Sequence, residues 1–482
     1  MELTSHPMLT KFTELFSLET TFLVVVFVLS LLVRVWGIGY SHYYGDEIKT
    51  LYLDKTVPAM TFLLDQRKGP VQFIASWFME KITGGYDEGW IRLPFVLAST
   101  FSVLVFYFVS KKIFGRTAAL YSTVVYAFSG LNVAFGRTAQ YQSFLMLFGL
   151  MAIFFALLAK EKNSWKYLLG ASFFWALSVY SHYDGVFFVV PIVFLYCNTK
   201  KRAILFTKFF ILPAILMLLP FYLPYVVRGY FGVNTLNYVS RRVSGTGYLP
   251  NSSLYTILVY NPLYLFFLLS FPGLFSFMFK EVSKLRVIQI WLLTSFIFYE
   301  VLISNPGTHI NNYLLPLILL SGFVVSNLNK KLLYPTVIPL AIYIVITFLV
   351  YVPSLNTGYP WKESKILGIK VSRVSKKYQL FLYGFPYNRG WDHIADYFRE
   401  RGGARGVFTN DNDSLAQYYL LGIAYTPPGP NFLPQYYIHV LHNQEIGNPK
   451  ESFYDKNSIN YRLEAEFYAD GQLASQVYRL IK

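Results

Sequence analysis

Residues 20–47 read TTFLVVVFVLSLLVRVWGIGYSHYYGDE. The stretch opens as an apolar run interrupted by one charge, Arg34, and closes on two adjacent carboxylates, Asp46 and Glu47. A helix needs about 20 apolar residues to cross the hydrocarbon core of a bilayer. No basic n-region and no small-residue cleavage site precedes the run, so it reads as a retained membrane helix rather than a signal peptide. An acid pair directly after a span places carboxylates at the edge of the bilayer, where ionisable groups are costly and mark function.

Outward from that stretch, the same apolar pattern recurs at 91–110, 117–135, 143–159, 166–182, 185–197, 204–226, 256–279, 287–304, 313–327 and 332–352. The expectation is a polytopic α-helical membrane protein of about eleven spans. Composition agrees. The chain is 54% hydrophobic and 19% aromatic with only 14% charged residues, where soluble domains carry about 25% charged. The net charge of +16 is spread between apolar runs rather than gathered on one basic face, which excludes nucleic acid as a partner. One cysteine, Cys197, excludes an intrachain disulfide and a cysteine metal cage.

Alternate connections carry the basic residues: Lys111, Lys112 and Arg116; Lys160, Lys162 and Lys166; Lys200, Lys201 and Arg202; Lys280, Lys284 and Arg286; Lys330 and Lys331. Basic connections face the cytoplasm, so the N-terminus is expected inside and the C-terminus outside, in a multi-pass plasma-membrane protein. The first outer connection, 40–90, contains helix-like stretches Ile48 to Leu64 and Val71 to Ile82, expected to lie along the membrane surface. The second, 228–254, is glycine-rich and reads as a mobile loop. From 353 the composition turns polar. Trp391 to Arg401 reads as an amphipathic helix, Gly406–Thr409 and Tyr436–Leu441 as strands, and Glu464–Tyr468 with Gln476–Ile481 as a hairpin turning at Asp470–Gly471. The expected division is a transmembrane domain over 1–352 and a soluble extracytoplasmic α/β domain over 353–482.

Charged residues cluster at the outer ends of the spans. Asp46 and Glu47 have three readings: a general base at the bilayer edge, a divalent-cation site, or solvated loop acids. Lys68 lies between the two surface helices, Arg92 opens the second span, and Arg137 stands at the outer end of the third. Cations at that depth suit a lipid phosphate, which arginine grips bidentately; the alternative is anchoring to ordinary headgroups. Arg34 either pairs with an acid or snorkels. His182 and Tyr183 in YSHYD, and His309 and Tyr313 in PGTHINNY, are further candidates for substrate contact. The seven histidines show no i,i+4 pairing, so no zinc signature and no metal ligand is expected from them. No glycine-rich phosphate loop, nucleophile elbow or nucleotide fingerprint is present, so an activated donor must arrive in another form.

At these residues the chain resembles the multi-span glycosyltransferases that use polyprenyl-phosphate sugars, among them the protein O-mannosyltransferases and the aminoarabinose transferases of lipid A. The likeness rests on a helix ending LLVRVWGIG before Asp46-Glu47; on Lys68-Gly69-Pro70; on Arg92-Leu93-Pro94, a basic turn, and Phe135-Gly136-Arg137; and on His309 to Pro316. Two positions depart from the pattern: Gly69 replaces a proline, and Gln140 and Gln142 stand where a second arginine or an aspartate is common. The resemblance implies a GT-C-type helical bundle and an inverting single displacement on the outer face of the membrane. Asp46 would be the base, with Glu47 supporting it or orienting the acceptor. Lys68, Arg92 and Arg137 would meet the lipid phosphate. It implies no cofactor, a polyprenyl-phosphate-linked sugar as donor, a protein, lipid or polysaccharide as acceptor, and membrane lipids as surroundings. The rivals are a transporter or lipid flippase, disfavoured by the absence of paired halves, and a non-catalytic cell-envelope scaffold.

Overall fold

The computed structural model describes residues 18–66, 68–244, 264–279, 283–303, 307–352, 364–366, 369–371, 386–404, 406–421, 423, 428, 432–443, 453–469 and 471–481. Every apolar run named above is helical over most of its described part. In chain order the helices up to residue 136 are α1 Leu18–Val35, α2 Ala59–Asp65, α3 Val71–Thr83, α4 Glu88–Phe114, α5 Arg116–Phe128 and α6 Gly130–Gly136. Then follow α7 Gln142–Lys162, α8 Trp165–Ser181, α9 Val189–Tyr196 and α10 Lys200–Val227, which contains a π-helical turn, and α11 Asn237–Ser244. The last of the bundle are α12 Tyr264–Phe275, α13 Ser283–Leu302, α14 Asn311–Asn327 and α15 Lys330–Tyr351. Among the described residues seven helices are long and apolar enough to cross a membrane, or eight when α5 and α6, bent by 58°, count as one span.

Burial sorts these helices. Thr308–Asn327 is 94% buried, whereas Leu18–Val35 and Lys331–Leu349 are each only 17% buried. A helix apolar all round is either a core or a lipid-facing element. Thus α14 is the axis, packed by α5, α12 and α13, and α1, α10 and α15 turn their leucines and valines outward. At one end, Lys111 and Arg116 pair with Glu19, Lys112 pairs with Glu161, and Lys284 Nζ donates to the Lys112 carbonyl at 2.8 Å. The basic connections that share a side in the sequence therefore meet in space.

The connection after α1 departs from expectation. Instead of a helix over 48–64, only Ile48–Thr50 forms a single 3-10 turn before α2. Asp54 Oδ1 accepts from the Thr56 N–H at 2.9 Å, and Pro58 caps α2. A side-chain turn followed by proline ends any helix entering it. Among the described residues Arg34 meets no acid, and it does not snorkel. It is fully buried and donates to the Ser30 carbonyl at 3.0 Å and to Ser99 Oγ at 2.9 Å.

Beyond residue 386, α16 Trp391–Glu400 and α17 Asp413–Tyr419 pack with a four-stranded sheet. β1 Ser364–Ile366 and β2 Ile369–Val371 pair antiparallel as a separate two-stranded sheet, and the four-stranded sheet comprises β3 Val407–Thr409, β4 Tyr436–Val440, β5 Tyr461–Ala469 and β6 Gln472–Leu480, in order β3-β4-β6-β5. β3 and β4 are parallel, and β5 and β6 form the expected hairpin. This unit sits on the loop after α1. Tyr40 Oη donates to the Pro386 carbonyl at 3.2 Å, His42 Nε2 lies 3.0 Å from Asp392 Oδ2, and the Tyr43 N–H donates to Tyr419 Oη at 2.9 Å. The buried Arg389, paired with Asp411 at 3.1 Å, also donates to the Tyr43 carbonyl.

The segment between α2 and α3 is pressed onto the end of α8. A Cβ at Gly69 would overlap the Tyr180 carbonyl, so the glycine that departs from the family pattern is a close-approach position. Because the obstacle is backbone, no rotamer relieves it. Gly69→Ala is expected to cost about 1–3 kcal/mol, read as a lowered melting temperature of the detergent-purified protein.

Candidate active site

Gly45 sets the geometry. Its φ of 48° lies in the left-handed region, where a side chain is strained, and the turn it makes sends the next two carboxylates different ways. Asp46 Oδ2 lies 2.6 Å from Lys68 Nζ and Oδ1 lies 3.7 Å from Lys49; the Asp46 side chain is 34% exposed while that of Lys68 is 8% exposed. Glu47 turns inward and is fully buried. Its Oε1 lies 2.9 Å from Arg92 Nε and its Oε2 3.0 Å from Arg92 Nη2, a bidentate pair. The same carboxylate accepts the Ala139 N–H at 2.8 Å and the Tyr44 N–H at 3.2 Å. Asp46 and Glu47 thus take different partners, Lys68 and Arg92.

Arg92 is completely buried and spends its remaining donors on the Ile38 carbonyl at 2.8 Å and the His42 carbonyl at 3.3 Å. Arg137, which caps α6, donates to the carbonyls of Val33 at 3.1 Å and Gly37 at 3.4 Å and lies over the Tyr40 ring. Its Nε finds no hydrogen-bond partner among the described residues. Burial pulls this guanidinium below its ordinary range, against the opposing pull of Tyr40. An arginine stays charged regardless. Among the described residues it forms no ion pair, which leaves it suited to an anion.

The turn from Arg137 to Tyr141 joins this group to a second one. Tyr141 presents its ring to Lys68 Nζ at 5.0 Å and stacks on His182 at 3.8 Å. Burial pushes its phenol well up from the usual value. Behind Tyr141, His182 and His309 flank the buried Asp184, and Tyr183 covers His182 with ring centroids 3.8 Å apart. Tyr313 stands apart from both groups: its hydroxyl donates to Glu300 Oε1 at 2.7 Å.

Of the residues singled out in the sequence, the structure therefore gathers Asp46, Lys68, His182, Tyr183 and His309 around Tyr141, and Glu47, Arg92 and Arg137 beside them. Asp184, Tyr141 and Arg389 were not foreseen. Asp184 had one signal, its place two residues after His182. Tyr141 and Arg389 had none, since aromatic and basic residues are common throughout the chain.

Residues 67–227 match the family described as dolichyl-phosphate-mannose-protein mannosyltransferase. That segment holds Lys68, Arg92 and Arg137. No curated protein matches the sequence. Among solved structures, ArnT from Cupriavidus metallidurans in the apo state superposes with a TM-score of 0.63 at 12% identity, covering 96% of this chain and 98% of that one. The same protein bound to undecaprenyl phosphate gives 0.63 at 13% identity, covering 94% and 97%. The chain has the fold of this ArnT structure, the GT-C-type helical bundle that the resemblance implied.

Removing one partner of a buried ion pair costs about 3–5 kcal/mol, whereas an exposed pair contributes about 0–1 kcal/mol. Glu47→Gln, which strands Arg92, is expected to lower the melting temperature far more than Asp46→Asn. After the latter, the side-chain amide oxygen can still accept from the Lys68 ammonium, and the altered group is itself 34% exposed. Thermal melts of the two variants in one detergent compare them directly.

Proposed function

We propose that this chain is an inverting glycosyltransferase that moves a sugar from a polyprenyl-phosphate donor to an acceptor on the outer face of the membrane. The observation that carries the reading is the Asp46–Lys68 contact at 2.6 Å, a half-open carboxylate against a buried ammonium, with Arg137, which forms no ion pair among the described residues, on the neighbouring turn. The likeness of residues 67–227 to a family named for dolichyl-phosphate mannose, and of the whole fold to a protein crystallised with undecaprenyl phosphate, supports the donor class.

In this reading the resting Lys68 balances the charge of Asp46. An arriving donor phosphate competes for the ammonium and frees the carboxylate to accept a proton. The acceptor's hydroxyl or amine gives that proton to Asp46 as its oxygen or nitrogen bonds to the anomeric carbon. The bond from that carbon to the phosphate oxygen breaks on the opposite face, and the electron pair leaves with the lipid phosphate. Lys68 and Arg137 meet the charge that develops there, a role in which preorganised donors are worth about 10²–10³ in rate each. Glu47 and Arg92 are positioning residues: they hold the turn that aims Asp46. No step needs a metal, since side-chain cations stabilise the leaving group. The basic connections gathered at the Lys111 end support an orientation in which the site, at the opposite ends of the spans, faces out.

Asp46→Asn is expected to abolish transfer while the protein stays folded and monodisperse. Near-normal turnover would remove Asp46 from the mechanism. Arg137→Ala is expected to raise the apparent KM for the donor lipid and lower kcat, because a leaving-group contact strengthens as the bond breaks. Both are measured with the donor identified by mass spectrometry of co-purifying lipids, and an unchanged donor dependence would contradict a phosphate contact.

A further inference from the structure

His182, Asp184 and His309 each direct a ligand atom to one place, and the three atoms lie within 4.8 Å of one another. All three residues are buried, Asp184 completely. His182 ends α8, Asp184 lies on the turn Tyr183–Phe188, and His309 lies on the turn Gly307–Ile310 before α14. A charged carboxylate without solvent needs compensation. Among the described residues no lysine or arginine pairs with Asp184. The Tyr299 hydroxyl donates to Oδ1 at 2.9 Å and the Asn312 amide to Oδ2 at 2.9 Å, and His309 Nδ1 lies 2.7 Å from Oδ2.

The His182 ring sharpens the point. Its Nδ1 accepts the Asp184 backbone N–H at 3.2 Å, so this nitrogen presents a lone pair. The same nitrogen lies 3.1 Å from Asp184 Oδ1. Two proton-free acceptor atoms thus lie side by side in a dry interior, and a cation that draws on both, in place of the long backbone hydrogen bond, relieves their repulsion. Two imidazole nitrogens and one carboxylate oxygen form the donor set that suits zinc and neighbouring divalent transition ions, and three protein ligands leave a further coordination position open. Asn312 and Tyr299, bonded to the carboxylate, would orient it as outer partners do in metal sites.

We infer that His182, Asp184 and His309 bind one divalent transition-metal ion of the zinc class. The inference is independent of the transfer reading. The ion ties the end of α8 to the start of α14, two elements far apart in sequence, and fixes the ring on which Tyr141 stacks. Its charge exceeds that of the single carboxylate, so the group behind Tyr141 is net positive, on the side that Lys68 faces.

The test uses the full-length protein in detergent, stripped with a chelator, desalted, and titrated with Zn²⁺ alone and with Mn²⁺ alone. Retained metal is measured by inductively coupled plasma mass spectrometry and stability by thermal melting. One ion per chain and a raised melting temperature are expected for the wild type with at least one of the two ions. His309→Ala is expected to weaken binding by more than the about 10–100-fold that follows loss of an outer partner, and His309→Asp, which keeps a ligand oxygen, to recover part of it. Asp46→Asn is expected to retain the full metal content, which separates this site from the transfer chemistry. A wild type that neither retains an ion nor shifts its melting point overturns the proposal whether or not the variants fold. So does a His309→Ala protein with wild-type metal content.

Discussion

The Glu47–Arg92 pair is the constraint on which the outer end of the bundle depends. Both side chains are fully buried, where a charge is tolerated only if every donor and acceptor is met. Meeting them requires three separate segments at once: the loop after α1 supplies Glu47 and the Ile38 and His42 carbonyls, α4 supplies Arg92, and the turn before α7 supplies the Ala139 N–H. None of these can move without stranding a charge. The adjacent Asp46 is thereby fixed against Lys68 although it is itself half open. Rigidity is supplied by the acid that faces inward, and the one that faces out stays open to solvent.

The unit beyond residue 386 reinforces the same loop from above. Arg389 sends its backbone N–H to His42 Nδ1 at 3.1 Å and a guanidinium N–H to the Tyr43 carbonyl, while its own charge is held by Asp411. The polar C-terminal segment thereby meets backbone groups of the loop after α1. The same joint accounts for the two aromatic clusters there, Tyr43 against Tyr418 and Tyr44 against Tyr387. Both seal the seam between loop and sheet.

How far the sequence could be read follows from how each feature is encoded. Apolar runs, Trp391 to Glu400 and the hairpin around Gly471 were legible because periodicity and turn chemistry are local. The broken stretch at 48–58 was misread as helix because the Asp54 side chain and Pro58 outweighed its apolar content. Arg92 was legible as a special residue but not in its connections, since the sequence does not say that its partner is Glu47 rather than a lipid. His182 and His309 carried no metal-like spacing because Asp184 and His309, which lie together, are 125 residues apart in sequence.

What the sequence determined by itself is the solvent each segment must face: lipid for the long apolar runs, water for the tail, and the boundary for Asp46, Lys68 and Arg137. Those follow from transfer free energies, which depend on composition within a window of chain. What only the tertiary structure decided is which charge meets which: that Glu47 is sealed and Asp46 is not, that Lys68 lies beneath Asp46, and that two distant histidines share one carboxylate. Electrostatic pairing falls off with distance and depends on local burial, so it exists only once the helices have brought those groups together.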